Sequence, residues 1–197
     1  MRLFLNATSP FARVARVVAL EKGLSPELVW CDPWANDPAL LAVHPQGRIP
    51  VLVTDDGHAI AESLLIAQYL EAQGPGPMLL PAATLARTLA TTSIGYGLME
   101  AAFSTVIARK HDAQGADATV MGQRRLAALQ RALHTLEQAP PLPAGPTITL
   151  DQLVVAIAAE YVNFRLPGTL TAAQHPRLSQ WLQTMAARPH LAATAFA

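Results

Sequence analysis

The sequence predicts a small α/β domain followed by an all-helical one. Three observations carry that expectation. Short apolar runs alternate with helical patterns in the first part of the chain. A Gly- and Pro-rich stretch, "GPGPMLLP" (Gly74–Pro81), then interrupts it. Beyond that stretch the hydrophobic period is helical throughout.

Taken in order, "RLFLN" (Arg2–Asn6) is a short apolar run of the kind that forms a buried strand. A helical pattern follows from Pro10 to Lys22, with Gly23 placed to end it. "ELVWC" (Glu27–Cys31) reads as a second strand and "DPALLAVHP" as a short irregular helix. "RIPVLVTDDGHAIAES" holds two apolar runs around Asp55-Asp56-Gly57, a hairpin signature. "AESLLIAQYLEAQG" closes the series as a helix, giving the order β-α-β-α-β-β-α. Three long helical patterns come next, roughly Ala83–His111, Asp117–Gln138 and Leu150–Phe164, and a shorter one at Pro176–Arg188. "APPLPAGP" (Ala139–Pro146) is a loop among them. The expected division is an α/β domain over 1–74, a linker over 75–82 and a helical domain over 83–197.

Composition narrows the function. With 51% hydrophobic and 14% charged residues the chain is neither a disordered segment nor a charged tail. Fourteen Lys plus Arg balance 14 Asp plus Glu, which argues against a broad nucleic-acid footprint. One cysteine, Cys31, leaves no intramolecular disulfide and no Cys-rich metal site. No secretory signal is apparent, and the richest apolar run, "LVVAIAAEYV", is broken by Glu160, so no membrane span is expected. A cytoplasmic protein follows as the expectation. The six histidines are too scattered for an H-x-x-x-H metal site, and no G-x-S-x-G, Walker A or G-x-G-x-x-G motif is present.

Ser9 stands where a helix N-cap belongs, with Pro10 at the first helical position. Taken alone, capping is the commoner role for such a serine. The same location also suits an anion, because a helix N-terminus presents N–H groups and a positive dipole end. A hydrogen bond to a charged group contributes about 1.5–3 kcal/mol and the helix end about 0.3–1 kcal/mol more. Together these would leave a thiol held there largely ionised near neutral pH. Ser9 would then assist another molecule's sulfur.

Other motifs carry two readings each. Ile49-Pro50 opens the third strand, and local sequence favours a trans bond, since cis forms make up about 5–6% of X-Pro bonds. Glu62-Ser63 leads the third helix. Such a pair commonly satisfies the first-turn N–H groups, and it could instead recognise an amino-acid zwitterion, Glu62 facing the ammonium and Ser63 the carboxylate. Cys31 closes an apolar run and reads as a small core residue. Tyr96, Met99, Phe103 and Ile107 share one helix face, usually core and sometimes the wall of an apolar pocket.

Together, "TSPFARVARVVALEKGL" (8–24), "HPQGRIPVLVTDDGHAIAESLLIAQYLE" (44–71) and "HPRLSQWLQTMAARPHLAAT" (175–194) resemble a cytosolic glutathione S-transferase. The flavour is that of bacterial members with an S-P-F start. The resemblance implies a thioredoxin-like N-terminal domain that binds glutathione and an all-α C-terminal domain that contributes the electrophile pocket. It also implies a homodimer, a role in detoxification, and no metal. Ser9 falls on the thiol-activating position. Pro50 matches a cis-proline, against the local trans reading. Ile49 would offer its backbone to the cysteinyl part of glutathione, Glu62 and Ser63 would bind the γ-glutamyl end, and Arg48 would lie near the glycyl carboxylate. Two positions depart from the family pattern: Gln152 takes the acidic place in the capping box Thr149-Leu150-Asp151-Gln152, and His44-Pro45 replaces Asn-Pro. The implied activity is attack of the glutathione thiolate on an apolar electrophile. A glutathione-dependent peroxidase or disulfide reductase, and a non-catalytic binder of a ligand or protein, are the alternatives.

Overall fold

Residues 1–111, 115–141 and 147–196 are described by the structure, a computed structural model. Two compact units divide it: Met1–Leu79 with Ala193–Ala197, and Leu80–Ala192. In the first unit, strands β1 (Arg2–Leu5), β2 (Glu27–Trp30), β3 (Val51–Val53) and β4 (Ala59–Ala61) form one sheet in the order β2-β1-β3-β4. Helices α1 (Pro10–Glu21), α2 (Pro38–Val43) and α3 (Ser63–Gln73) complete it, so the predicted β-α-β-α-β-β-α order is the observed one.

Connection length explains the sheet's mixed direction. β1 and β2 run parallel because α1 carries the chain back between them, whereas β3 and β4 are antiparallel because a tight turn joins them. In that turn Gly57 adopts φ +90°, its N–H donates to Thr54 O at 3.1 Å, and the Thr54 N–H donates to His58 O at 2.9 Å. Alternation then sorts the side chains. Phe4, Val51 and Val53 form one buried cluster with Leu40 of α2, which Val29, Cys31, Val43, Ile49 and Ala61 flank. Leu3, Leu5 and Leu52 are buried on the opposite side of the pleat. α1 packs against α3, burying its Ala12, Val14, Ala15, Val17, Val18 and Ala19.

A buried lysine holds the Gly- and Pro-rich stretch to this unit. Lys22 Nζ donates to the carbonyls of Gly76 (3.2 Å) and Pro77 (2.9 Å) and lies 3.2 Å from Glu71 Oε2. The other carboxylate oxygen of Glu71 accepts the Leu79 N–H at 2.9 Å. Gly76 is required by this close approach, since a Cβ there would lie 2.1 Å from the Glu21 carbonyl oxygen.

The second unit is helical: α4 (Leu85–His111), α5 (Val120–Gln138), α6 (Leu150–Arg165), α7 (Pro176–Ala186) and the short α8 (Pro189–Ala192). α6 is buried almost all round and packs on α4. Gly95 permits that contact, because a Cβ would meet Val154 Cγ1 at 2.9 Å. Gln152 Oε1 accepts the Thr149 N–H at 3.1 Å, so glutamine serves the capping box in place of an acid.

Helix starts account for most of the differences from expectation. The pattern drawn from Ala83 opens as a 3₁₀ turn (Ala82–Thr84) before α4. That drawn from Asp117 begins at Val120, because the Thr119 hydroxyl accepts the Gly122 N–H at 2.9 Å and caps the helix there. The last pattern ends at Ala186, and Pro189 starts a separate short helix. Of the loop expected at Ala139–Pro146, residues 142–146 lie outside those described. Among the described residues no helix is long and apolar enough to cross a membrane.

Replacing Lys22 with Met should destabilise the protein by about 2–4 kcal/mol, because Glu71 and two carbonyls lose a buried donor. Urea unfolding measures this, and Arg16→Met on the half-buried side of α1 serves as a control with a small effect.

Candidate functional site

Sheet register gathers the predicted site residues at one end of the α/β unit. Val51 pairs with Phe4 on one side and with Ala61 on the other. β1 therefore leaves the sheet beside the point where β3 enters and β4 leaves. The segments just beyond these pairs are Asn6–Ser9, Arg48–Pro50 and Glu62–Ser63. Two of them run straight into helices, so the N-termini of α1 and α3 lie at the same end.

Ser9 is the N-cap of α1. Its backbone is extended (φ −76°, ψ 118°) and its Oγ accepts the Ala12 N–H at 3.2 Å. Asn6, which sequence reasoning did not single out, sets up that cap. Its Oδ1 accepts the N–H groups of Thr8 (3.2 Å) and Ser9 (2.8 Å), turning the chain from β1 into the helix. The signal was an Asn three residues ahead of a Ser-Pro helix start. Ser9 is half-buried.

The Ile49–Pro50 bond is cis, which corrects the trans reading drawn from local sequence. Pro50 is buried where β3 begins, and Ile49 packs on the Phe4 cluster. Isomer choice at X-Pro is made by such tertiary surroundings, which neighbouring residues in the sequence do not encode.

Glu62 also departs from its commoner reading. It is the N-cap residue of α3, yet its side chain makes no capping bond. The carboxylate instead lies 3.4 Å from the exposed Arg48 guanidinium. Its backbone adopts φ +66°, ψ 116°, a conformation that costs a non-glycine residue about 1–3 kcal/mol. The strain is tolerated because both sides of the residue are fixed: Ala61 is paired to Val51, and the Glu62 carbonyl accepts the Ile66 N–H at 3.0 Å. Ser63 follows in the first turn and is buried. The result is an exposed cation–anion pair next to a helix N-terminus.

Cys31 lies at the end of β2, half-buried against the Phe4 cluster, with its Sγ 3.7 Å from the Leu5 carbonyl oxygen. Burial, and next the charge of Asp37, push its thiol above the ordinary value, so it is a protonated core group at neutral pH. Along α4, Met99 is fully buried, while Tyr96, Phe103 and Ile107 are half-buried beside a face of smaller residues (Thr92, Gly95, Ala102). Among the described residues no group of three or more His, Cys, Asp or Glu is arranged to hold a metal ion.

Comparison with known proteins adds a lineage. The family model of the glutathione S-transferase N-terminal domain matches residues 3–78. The uncharacterized GST-like protein YibF of Escherichia coli is 29% identical over 201 residues, 98% of either chain. A probable glutathione transferase of Aplysia californica is 36% identical over 80 residues, covering 41% of this chain and 86% of the other. A crystal structure of a glutathione S-transferase from Methylobacillus flagellatus, with GSH bound, matches with a TM-score of 0.88 at 25% identity, over 100% of this chain and 99% of that one. The architecture is the glutathione S-transferase fold, a thioredoxin-like four-stranded domain with a helical domain after it.

Two substitutions separate capping from strain. Ser9→Ala should cost about 1 kcal/mol through the lost cap. Glu62→Gly should raise stability by about 1 kcal/mol, because glycine adopts the positive φ without penalty. Chemical denaturation of both variants checks the opposite signs.

Proposed function

This chain belongs to the glutathione S-transferase family, and we propose that it is a glutathione transferase of the bacterial type with an S-P-F start. Its α/β unit binds glutathione through Ser9, Arg48, Ile49, Pro50, Glu62 and Ser63. Ser9 donates a hydrogen bond to the glutathione sulfur and stabilises it as the thiolate, the displaced proton passing to solvent. A sulfur lone pair then forms a bond to an electrophilic carbon of an apolar substrate, and the leaving group departs with its bonding electrons. Binding both reactants supplies the proximity.

The observation that carries this reading is the strained backbone of Glu62. A residue held at positive φ, with its carboxylate making no capping bond to the helix it begins, is costly to keep for stability alone. The arrangement suits a zwitterion. An ammonium would exchange for Arg48 at the Glu62 carboxylate, and a carboxylate would meet the N-terminus of α3. Arg48, so released, would turn to the second carboxylate of the ligand.

Calorimetry should detect glutathione binding to the wild-type protein and a large loss of affinity in Glu62→Gly, despite that variant's higher stability. With a chloronitrobenzene electrophile, Ser9→Ala should lower kcat/KM about 10- to 100-fold, the kinetic equivalent of one hydrogen bond to a charged group. The deficit should shrink as pH rises, since an unassisted thiol ionises at higher pH. A wild-type protein that takes up no glutathione would sink the reading. Sedimentation velocity tests the accompanying proposal of a homodimer.

A further inference from the structure

Arg13 is the one cation among the buried side chains of α1, whose other buried residues are Pro, Ala and Val. It is 5% exposed. Its Nε donates to the Thr194 hydroxyl at 3.2 Å, across 181 positions of sequence, and its guanidinium carbon lies 4.5 Å from the centre of the Phe196 ring. Thr194 is itself buried, and the residues from Ala193 onward cluster with the α/β unit although they follow the helical one. A buried guanidinium is costly without partners; here the Thr194 hydroxyl meets one of its donors and the Phe196 ring faces its charge.

Arg13 also belongs to the turn that Ser9 caps. Its backbone N–H donates to the Ser9 carbonyl at 3.1 Å, beside the Ala12 N–H bond to the Ser9 hydroxyl. Helical side chains lean toward the N-terminus, so a clamp on Arg13 acts on the turn in front of it. We propose that the segment Ala193–Phe196 is a strap: Thr194 and Phe196 lock Arg13, and Arg13 fixes the first turn of α1 and with it the direction of the Ser9 hydroxyl. The inference rests on the reading of Ser9 as the thiolate's donor. Arg13, Thr194 and Phe196 are positioning residues, and none touches either substrate.

The test uses Phe196→Leu and Thr194→Val, with Phe196→Tyr as the conservative variant that keeps an aromatic face. Calorimetry gives glutathione affinity, and the ultraviolet absorbance of the thiolate, followed with pH, gives the ionisation of bound glutathione. Phe196→Leu and Thr194→Val should bind glutathione within about twofold of wild type. Their bound thiol should titrate about half a pH unit higher, with a rate about threefold lower below that midpoint. Phe196→Tyr should restore the wild-type titration. In a Ser9→Ala background, Phe196→Leu should add no further shift, because the strap acts through Ser9.

Variants that melt earlier but titrate as wild type make the strap purely structural and overturn the proposal, leaving the Ser9 reading intact. A further shift in the Ser9→Ala background also overturns it, since the effect would then bypass Ser9. A wild-type protein that binds no glutathione, or whose bound thiol titrates like free glutathione, overturns both readings.

Discussion

The double pairing of Val51 is the constraint on which the α/β unit depends. This residue faces Phe4 in β1 and Ala61 in β4, so one register sets the positions of three chain segments at once. Slipping β3 by one residue would exchange Val51 and Val53 with Leu52 between two packed faces, leaving each face with side chains of the wrong number and shape. Close packing on both faces thus enforces the register, and the register carries Ser9, Pro50 and Glu62 to the same end of the sheet. The candidate site inherits its geometry from this packing, in which Ile49 itself takes part.

Rigidity around that site comes from charges placed where charges are expensive. Lys22 ties the C-terminal end of α1 to α3 and to the segment after it, and Arg13 ties the opposite end to Thr194 and Phe196. An apolar pair at either place would bury as much surface with less desolvation. A cation with several directed partners, however, fixes orientation as well as contact. In the proposed function α1 is the helix whose N-terminus is aimed, and it is held by a charge at each end.

Legibility from the sequence followed the range of the interaction. The hairpin at Asp55-Asp56-Gly57 and the Ser9-Pro10 helix start were readable because turn and cap chemistry is confined to a few neighbours. The pattern from Asp117 runs three residues ahead of α5 because Asp117 and Thr119 are both residue types that suit an N-cap, and short-range rules do not rank them. The cis bond before Pro50 and the positive φ of Glu62 are set by strands that meet only in three dimensions. Family resemblance supplied the first; nothing in the residues signalled the second. Arg13 stands within the helical pattern of α1, yet its hydroxyl partner Thr194 lies 181 positions away, beyond the reach of any periodicity.

At Ser9 the structural and the chemical roles draw on different parts of one hydroxyl. A serine oxygen has lone pairs to accept with and a single proton to donate. The cap uses a lone pair, taken by the Ala12 N–H. In the proposed function, donation to a thiolate uses the proton. The two bonds reinforce each other, because a hydroxyl that accepts from a helix N-terminus is polarised into a better donor. Cap and thiol activation therefore do not compete for Ser9. The cap fixes the oxygen in place, and a fixed oxygen aims its proton.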